Sequence, residues 1–88
     1  MKKYNLRFKH SIEKDLRKIP ETMIERIFQH IESLAIEPFP HGLQKIAGAE
    51  NLYRIRIGEY RVIYLLDKNN REIIIQHIRH RRDAYRDL

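Results

Sequence analysis

The chain contains 88 residues, with 18 Lys or Arg against 12 Asp or Glu, so its formal charge at pH 7 is +6. A chain of this length forms one domain, here residues 1–88, and its positive charge predicts an anionic partner: a nucleic acid, an acidic protein or a membrane surface. The absence of cysteine excludes disulfides and thiolate metal sites, and no apolar run approaches the roughly 18 residues of a membrane-spanning helix.

The chain begins with a predicted strand and a predicted short helix. Polar and apolar residues alternate over Tyr4–Phe8, as they do in a half-buried strand. Ser11 is placed to cap a first helix, whose apolar residues recur at intervals of three and four, and Pro20 interrupts it.

A second, longer helix follows. Thr22 and Glu25 have the spacing of a capping box, and a wide apolar stripe runs from Met23 to Ala35 at helical intervals. This helix is expected to stop before Pro38, because a residue that precedes proline is pushed out of the helical region. The next segment, Leu43–Ala49, is ambiguous between a short extended piece and a loop.

The last third of the chain predicts three antiparallel strands. Leu52–Ile57 and Tyr60–Leu66 flank a tight turn at Gly58–Glu59, and a polar turn then leads to Glu72–Arg79. The predicted fold class is therefore α+β, with the order strand, helix, helix and three-strand antiparallel meander. Both helices are expected to pack on one face of the small sheet, which leaves the other face open to solvent or to a ligand.

Arginines gather on the first two strands of the meander. Arg54 and Arg56 are two residues apart and so share one face of a strand, and Arg61 begins the next strand. The hairpin register that decides which residues meet is not determined by the sequence. The cluster is interpreted either as a grip for phosphate groups or as a solvated face balanced by Glu59 and Glu72.

The chain ends in a dense basic segment, His80-Arg81-Arg82-Asp83-Ala84-Tyr85-Arg86, after Arg79. One interpretation is a solvated tail, as charge runs usually are. The alternative is a functional end, because Asp83–Leu88 can form a last helical turn and Tyr85 can stack on a nucleobase or donate a proton.

Two histidines lie near the end of the last strand. His77 and His80 are three residues apart, so a strand sends them to opposite faces and a shared metal ion is not expected. His80 is the residue of the basic segment with a pKa normally near neutrality. It is interpreted either as a hydrogen-bonding residue that ends the strand or as a general acid or base.

The segments Tyr53–Tyr64 and His80–Arg86 resemble the RelE/ParE toxin superfamily, and more closely its RelE branch, as does the order of elements from Tyr4 to Arg86. The resemblance implies the toxin of a type II toxin–antitoxin system, a metal-independent endoribonuclease without a cofactor that cleaves mRNA in the ribosomal A site. Superfamily members that act on DNA gyrase share much of the first segment. A ParE-like gyrase inhibitor and a non-catalytic RNA- or protein-binding module are therefore the alternatives.

The site residues that the resemblance implies fall into two groups. In the implied reaction the ribose 2′-OH attacks the adjacent phosphate, arginines stabilise the developing charge, and a tyrosine or histidine assists proton transfer. Positions that are often lysine in relatives are arginine here, and arginine is a poor base. The implied catalytic residues are Arg54, Arg56, Arg61, His80, Arg81 and Tyr85, and the implied RNA-binding residues are Lys45, Arg54, Arg56, Arg79 and Arg82.

The resemblance also implies partners. We expect an acidic antitoxin protein that folds on binding, the 70S ribosome with its mRNA, and operator DNA contacted only indirectly through the antitoxin. No membrane partner is expected. The first ten residues lack the apolar stretch of a signal peptide, so the expected location is the cytoplasm.

Overall fold

The computed structural model of the protein describes residues 3–83. Two helices and five strands make up an α+β arrangement. None of the helices in residues 3–83 is long and apolar enough to cross a membrane. In chain order the elements are β1 (Asn5–Phe8), α1 (Ile12–Leu16), α2 (Glu21–Leu34), β2 (Gln44–Lys45), β3 (Leu52–Ile57), β4 (Tyr60–Asp67) and β5 (Glu72–His80).

The strands form one mixed sheet in the order β1-β5-β4-β3-β2. Strands β3, β4 and β5 make the predicted antiparallel meander, and β1 pairs with β5 in parallel. The ambiguous segment before β3 contributes β2, a two-residue edge strand. A register shift between Ile63 and Tyr64 marks a bulge in the pairing of β4 with β5.

The core lies between the helices and one face of this sheet, which we call the helix face. Helix α2 contributes Ile27, Ile31 and Leu34, all almost fully buried. The strands contribute alternate residues, because a pleated strand turns every second side chain to the same face. The strand residues buried in this core are Ile55, Ile57, Val62, Tyr64, Leu66, Ile73, Ile75 and Ile78. The sheet's other side, which we call the open face, carries Arg54 and Arg56.

Tyr64 ties the chain that follows α2 to this core. Its side chain is fully buried and its hydroxyl donates a hydrogen bond of 3.0 Å to the carbonyl oxygen of Pro38. Burial raises the pKa of Tyr64, because a low-dielectric surrounding disfavours the phenolate. Tyr64 therefore stays a neutral donor that holds the start of the loop leading to β2.

The helix starts differ from the predictions. Ser11 occupies the N-cap position of α1 but its side chain makes no capping hydrogen bond, and α1 ends at Leu16, short of Pro20. The predicted capping box of α2 is wrong. Its N-cap is Pro20, whose carbonyl oxygen accepts the amides of Met23 and Ile24 at 2.9 and 3.0 Å. Proline's φ of −57° is already compatible with entry into a helix, so the backbone begins the helix one residue before Thr22.

Asp15 of α1 completes the sheet where β1 stops. The last residue of β1, Phe8, pairs with Ile75, so the next residues of β5 have no strand on that side. The buried Asp15 carboxylate lies there instead, and accepts the amide of Ile78 at 3.0 Å. Its other oxygen lies 3.7 Å from Nε of Arg79. A helix side chain thus satisfies a buried strand amide that would otherwise lack a partner.

We predict that Asp15→Ala lowers the free energy of unfolding by about 1–3 kcal/mol, because it leaves the amide of Ile78 buried without an acceptor. Urea denaturation measures the change. Glu13→Ala, an exposed acid of the same short helix, is the matched control and is expected to change little. Equal losses in the two variants would mean that the carboxylate of Asp15 does not cap the strand.

Candidate functional site

The β3–β4 hairpin brings three arginines together on the open face. Its loop is only Gly58–Glu59, since Ile57 pairs directly with Tyr60. This register places Arg56 opposite Arg61, with Arg54 one step further along β3 on the same face. The sequence left this register open, and the structure gives the arrangement in which the predicted arginines meet.

Gly58 allows this tight turn. Its φ is +59°, whereas Glu59 has an ordinary negative φ. A positive φ at only the first of the two central residues is the pattern of a type II′ turn, which matches the twist of the flanking strands and favours glycine at that position. A Cβ at Gly58 would also lie 3.4 Å from Cε of Met23 in α2. The identity of residue 58 therefore controls the register that aligns Arg56 with Arg61.

Arg61 lies at the centre of the cluster. Its Nη1 donates to the carbonyl oxygens of Gly58 and Tyr60, at 3.3 and 3.1 Å. Partial burial lowers the pKa of Arg61, and the charges of Arg56, Arg54 and Arg81 lower it further. Because each of these neighbours disfavours another positive charge, the cluster repels itself and would be stabilised by an anion.

Arg54 and Arg56 border a cleft beside Arg61. The cleft has a volume of about 170 Å³ and is lined by Gly42, Gln44 and the three arginines. The side-chain oxygen of Gln44 accepts a hydrogen bond from the guanidinium of Arg54. Arg56 is exposed and forms no hydrogen bond or ion pair with any residue between 3 and 83. Its guanidinium is therefore available to a ligand.

Sequence reasoning missed Gln44 and selected its neighbour Lys45. The pairing of β2 with β3 places Gln44 opposite Arg54, on the open face, and Lys45 opposite Tyr53, on the helix face. A two-residue strand is too short to show an alternating pattern. The prediction that Lys45 binds RNA therefore concerns a residue that faces away from the arginines.

Arg81 approaches the cluster from the end of β5. Its backbone amide donates to the carbonyl oxygen of Glu59 at 2.8 Å, and its Nε lies 2.9 Å from a carboxylate oxygen of the same residue. Its charge also contributes to the lowered pKa of Arg61. We call Arg54, Arg56, Arg61 and Arg81 the arginine cluster.

His80 and Arg82 are directed away from this cluster, whereas Arg79 lies directly opposite Arg61 in the register of β4 with β5. The ring of His80 packs edge-on against Tyr60, with centroids 5.5 Å apart, and its Nδ1 accepts the backbone and Nε hydrogens of Arg82 at 3.3 Å. Arg79 pairs with Asp15. These residues line a second cavity of about 390 Å³ that also includes Lys18, Tyr60 and Asp83.

Two further predictions concern the ends of the site. Tyr85, and the helical turn at Asp83–Leu88 apart from Asp83 itself, lie outside the described residues. Within residues 3–83, no three His, Cys, Asp or Glu side chains are grouped so that they could hold a metal ion.

Comparison with known proteins identifies the family. The family model for the ParE toxin of the type II toxin–antitoxin system parDE matches residues 6–85. A protein of Methanocaldococcus jannaschii named as toxin RelE1 is 32% identical, over 97% of this chain and 98% of its own length. The chain belongs to the RelE/ParE toxin superfamily.

Solved structures of RelE toxins share the fold. The toxin in the archaeal RelE–RelB complex from Pyrococcus horikoshii OT3 superimposes with a TM-score of 0.80 and 29% identity, covering 93% of this chain and 99% of that one. The isolated E. coli RelE toxin gives a TM-score of 0.75 at 21% identity, over 96% and 87% of the two chains. The predicted RelE-like α+β fold is confirmed by these structures.

In this RelE/ParE protein the arginine cluster is expected to reduce stability. We predict that Arg56→Gln raises the free energy of unfolding by about 0.2–1 kcal/mol, because it removes a like charge directly opposite Arg61. Urea denaturation at low salt measures the gain, which should shrink in 1 M NaCl as screening increases. Lys14→Gln, on the exposed side of α1, is the control for general charge loss. A gain that is insensitive to salt would contradict the electrostatic cause.

Proposed function

We propose that this toxin is a metal-independent endoribonuclease that cleaves mRNA in the ribosomal A site and so arrests translation. The observation that carries the proposal is the arginine cluster, in which four guanidinium groups from β3, β4 and the end of β5 share one region around the open face. Guanidinium groups match phosphate in charge and hydrogen-bonding geometry. The self-repulsion around Arg61 favours a polyanion over a neutral ligand.

The proposed reaction is in-line transesterification. The ribose 2′-oxygen forms a bond to the adjacent phosphorus as the bond from phosphorus to the 5′-oxygen breaks. The 2′-hydroxyl loses its proton and the leaving 5′-oxygen gains one, which yields a 2′,3′-cyclic phosphate and a 5′-OH. Arg61 and Arg81 stabilise the charge that develops on the phosphate, whereas Arg54 and Arg56 orient the RNA backbone.

For the proton transfers we propose Tyr85, as the resemblance implies. His80 was the other sequence-based proposal, and its placement favours the alternative interpretation of a hydrogen-bonding residue at the strand end. Its ring lies against Tyr60, on the opposite face of β5 from Arg79, and Nδ1 is engaged by Arg82. A catalytic acid or base must come within hydrogen-bonding reach of the atom that it serves.

Loss of either central arginine is expected to abolish activity without unfolding the protein. We predict that Arg61→Ala and Arg81→Ala each lower cleavage by about 100-fold or more, the scale of removing one charge-stabilising group. The test induces each form in bacteria without antitoxin and maps translation rate and mRNA 5′ ends within minutes. Arg7→Ala, an exposed arginine paired with Glu72 at the far edge of the sheet, is the control.

Two results of that experiment would contradict the proposal: normal cleavage by the Arg61 or Arg81 variants, or product ends that carry a 5′-phosphate. The first would remove the arginine from the site. The second would indicate hydrolysis by an activated water rather than attack by the 2′-hydroxyl.

The position of His80 gives a second, separate prediction. We expect His80→Ala to retain cleavage within about tenfold of the unaltered toxin, because general acid–base catalysis typically contributes 100-fold or more and the ring faces away from the cluster. Single-turnover rates from pH 5 to pH 9 measure this. A loss above 100-fold, with a pH dependence of the rate that disappears in the variant, would instead make His80 a catalytic acid or base.

An acidic antitoxin is the partner that we propose for this toxin. RelE relatives from Pyrococcus horikoshii and Methanococcus jannaschii have been crystallised with RelB, and the +6 charge of this chain suits an acidic protein. We further propose that the toxin acts on the 70S ribosome in the cytoplasm. In this proposal any contact with operator DNA is made through the antitoxin, and Lys45, Arg79 and Arg82 are secondary RNA contacts.

A ParE-like gyrase inhibitor is the second candidate, favoured by the match to the ParE family model over residues 6–85. The induction experiment separates the two. Rapid translation arrest with cuts inside coding regions would establish the ribonuclease. Continued translation with gyrase-linked DNA breaks would establish the ParE activity, and the arginine cluster would then bind a protein or DNA.

A further inference from the structure

Glu59 is an acid inside the most basic region of the molecule. It occupies the second position of the β3–β4 turn, next to Gly58. Its carboxylate is partly exposed to solvent and forms an ion pair with Arg81. The same carboxylate raises the pKa of Arg61, against the effect of the neighbouring arginines. A negative charge at this position weakens the attraction between the arginine cluster and RNA phosphates. We therefore expect a role of Glu59 other than binding RNA.

Two contacts hold Arg81 to this one residue. The backbone amide of Arg81 donates to the carbonyl oxygen of Glu59 at 2.8 Å, which fixes where the chain leaves β5. The Nε of Arg81 lies 2.9 Å from Oε2 of Glu59, which directs the side chain. Within residues 3–83 these are the contacts that Arg81 makes. Among these residues neither terminal nitrogen of the guanidinium forms a hydrogen bond, so both can bind a phosphate.

Stability does not account for the ion pair. Both side chains are more than half exposed, at 59% for Arg81 and 57% for Glu59. Exposed ion pairs contribute little to folding, because solvent screens them and ordering two long side chains costs entropy. What such a pair does achieve is a restricted orientation for a side chain that otherwise samples many rotamers.

We propose that Glu59 is a positioning residue that holds the guanidinium of Arg81 toward the scissile phosphate. This inference rests on the proposed ribonuclease activity. Glu59 itself touches neither the RNA nor the reacting atoms. It binds Nε, and it belongs to the same two-residue turn that sets the register of Arg56 and Arg61. This turn thereby sets the positions of Arg56 on β3, Arg61 on β4 and Arg81 at the end of β5.

The Glu59 carboxylate could orient Arg81 or could merely repel RNA, and these two roles predict opposite effects of Glu59→Ala. If the carboxylate only repels RNA, its removal improves binding and activity. If it orients Arg81, its removal lowers kcat by about tenfold or more, since a small misplacement of a charge-stabilising group is costly in the transition state. Under the second account KM stays unchanged or falls, because phosphate attraction increases.

The test measures kcat and KM for ribosome-dependent mRNA cleavage by Glu59→Ala, Glu59→Gln and the unaltered toxin. Glu59→Gln keeps an oxygen that can accept from Nε, so it should retain kcat within about threefold and separate acceptance from charge. Glu72→Ala is the matched control, because it removes an acid paired with an arginine far from the cluster. It should leave kcat unchanged.

The outcomes distinguish this inference from the function on which it rests. A kcat loss in Glu59→Ala that Glu59→Gln rescues supports positioning. Unchanged or increased kcat in Glu59→Ala, with an active unaltered toxin, overturns the role of Glu59 and leaves the ribonuclease proposal intact. An inactive unaltered toxin overturns both. Side-chain NMR of Arg81 Nε provides an activity-independent reading, and an Nε–H signal equally ordered in Glu59→Ala would also overturn the positioning role.

Discussion

The register of the β3–β4 hairpin is the constraint on which the site depends. A two-residue turn with a positive φ at Gly58 makes Ile57 the partner of Tyr60, and every later pair follows from that one. Because side chains alternate, a slip of one residue would send Arg61 to the helix face and bring core residues to the surface. The apolar side of the hairpin therefore holds the arginines in place: burial of Ile55, Ile57 and Val62 resists any register that would separate Arg56 from Arg61.

Repulsion between the positive charges of the arginine cluster opposes folding, and the same charges favour the binding of an anion. Burial and then three arginine charges lower the pKa of Arg61, and Glu59 is the acid that partly offsets them. Natural sites retain such strain when the surrounding structure is stable enough to tolerate it. Here the helix face supplies that stability, with α2 and the three strands β3, β4 and β5 contributing most of the buried side chains. The two faces of one sheet thus have separate tasks.

Much of the fold could be predicted because its signals are local. The period of α2, the alternation in β3 and the polar turn before β5 each determine an element within a few residues. The parallel pairing of β1 with β5, the role of Asp15 and the capping of α2 could not be predicted so directly. Asp15 reads in the sequence as an ordinary acid in the first turn of a helix, and only the end of β1 at Phe8 leaves the amide of Ile78 for it to accept.

The candidate site was predictable in its residue types and less so in its geometry. Arg54 and Arg56 share a face by period alone, whereas the proximity of Arg61 required the register and that of Arg81 required the end of β5. Gln44 escaped notice because a polar residue in a two-residue edge strand carries no pattern, and Glu59 was interpreted only as a charge that balances the arginines. His80 shows the reverse: its chemistry left catalysis open as one of two interpretations, and only the register shows that the strand places its ring against Tyr60.

The position of β5 between β1 and β4 bears on how the protein is made. Within residues 3–83, the first strand pairs with one other strand, at residues 72–75 of β5, so most of the polypeptide separates the two partners. Such non-local pairing forms late, because the long intervening segment must be ordered first. A nascent chain therefore cannot pair β1, nor bring Arg81 to the hairpin, until residues 72–81 have left the ribosome. Up to that point β1 lacks its strand partner and the arginine cluster is incomplete.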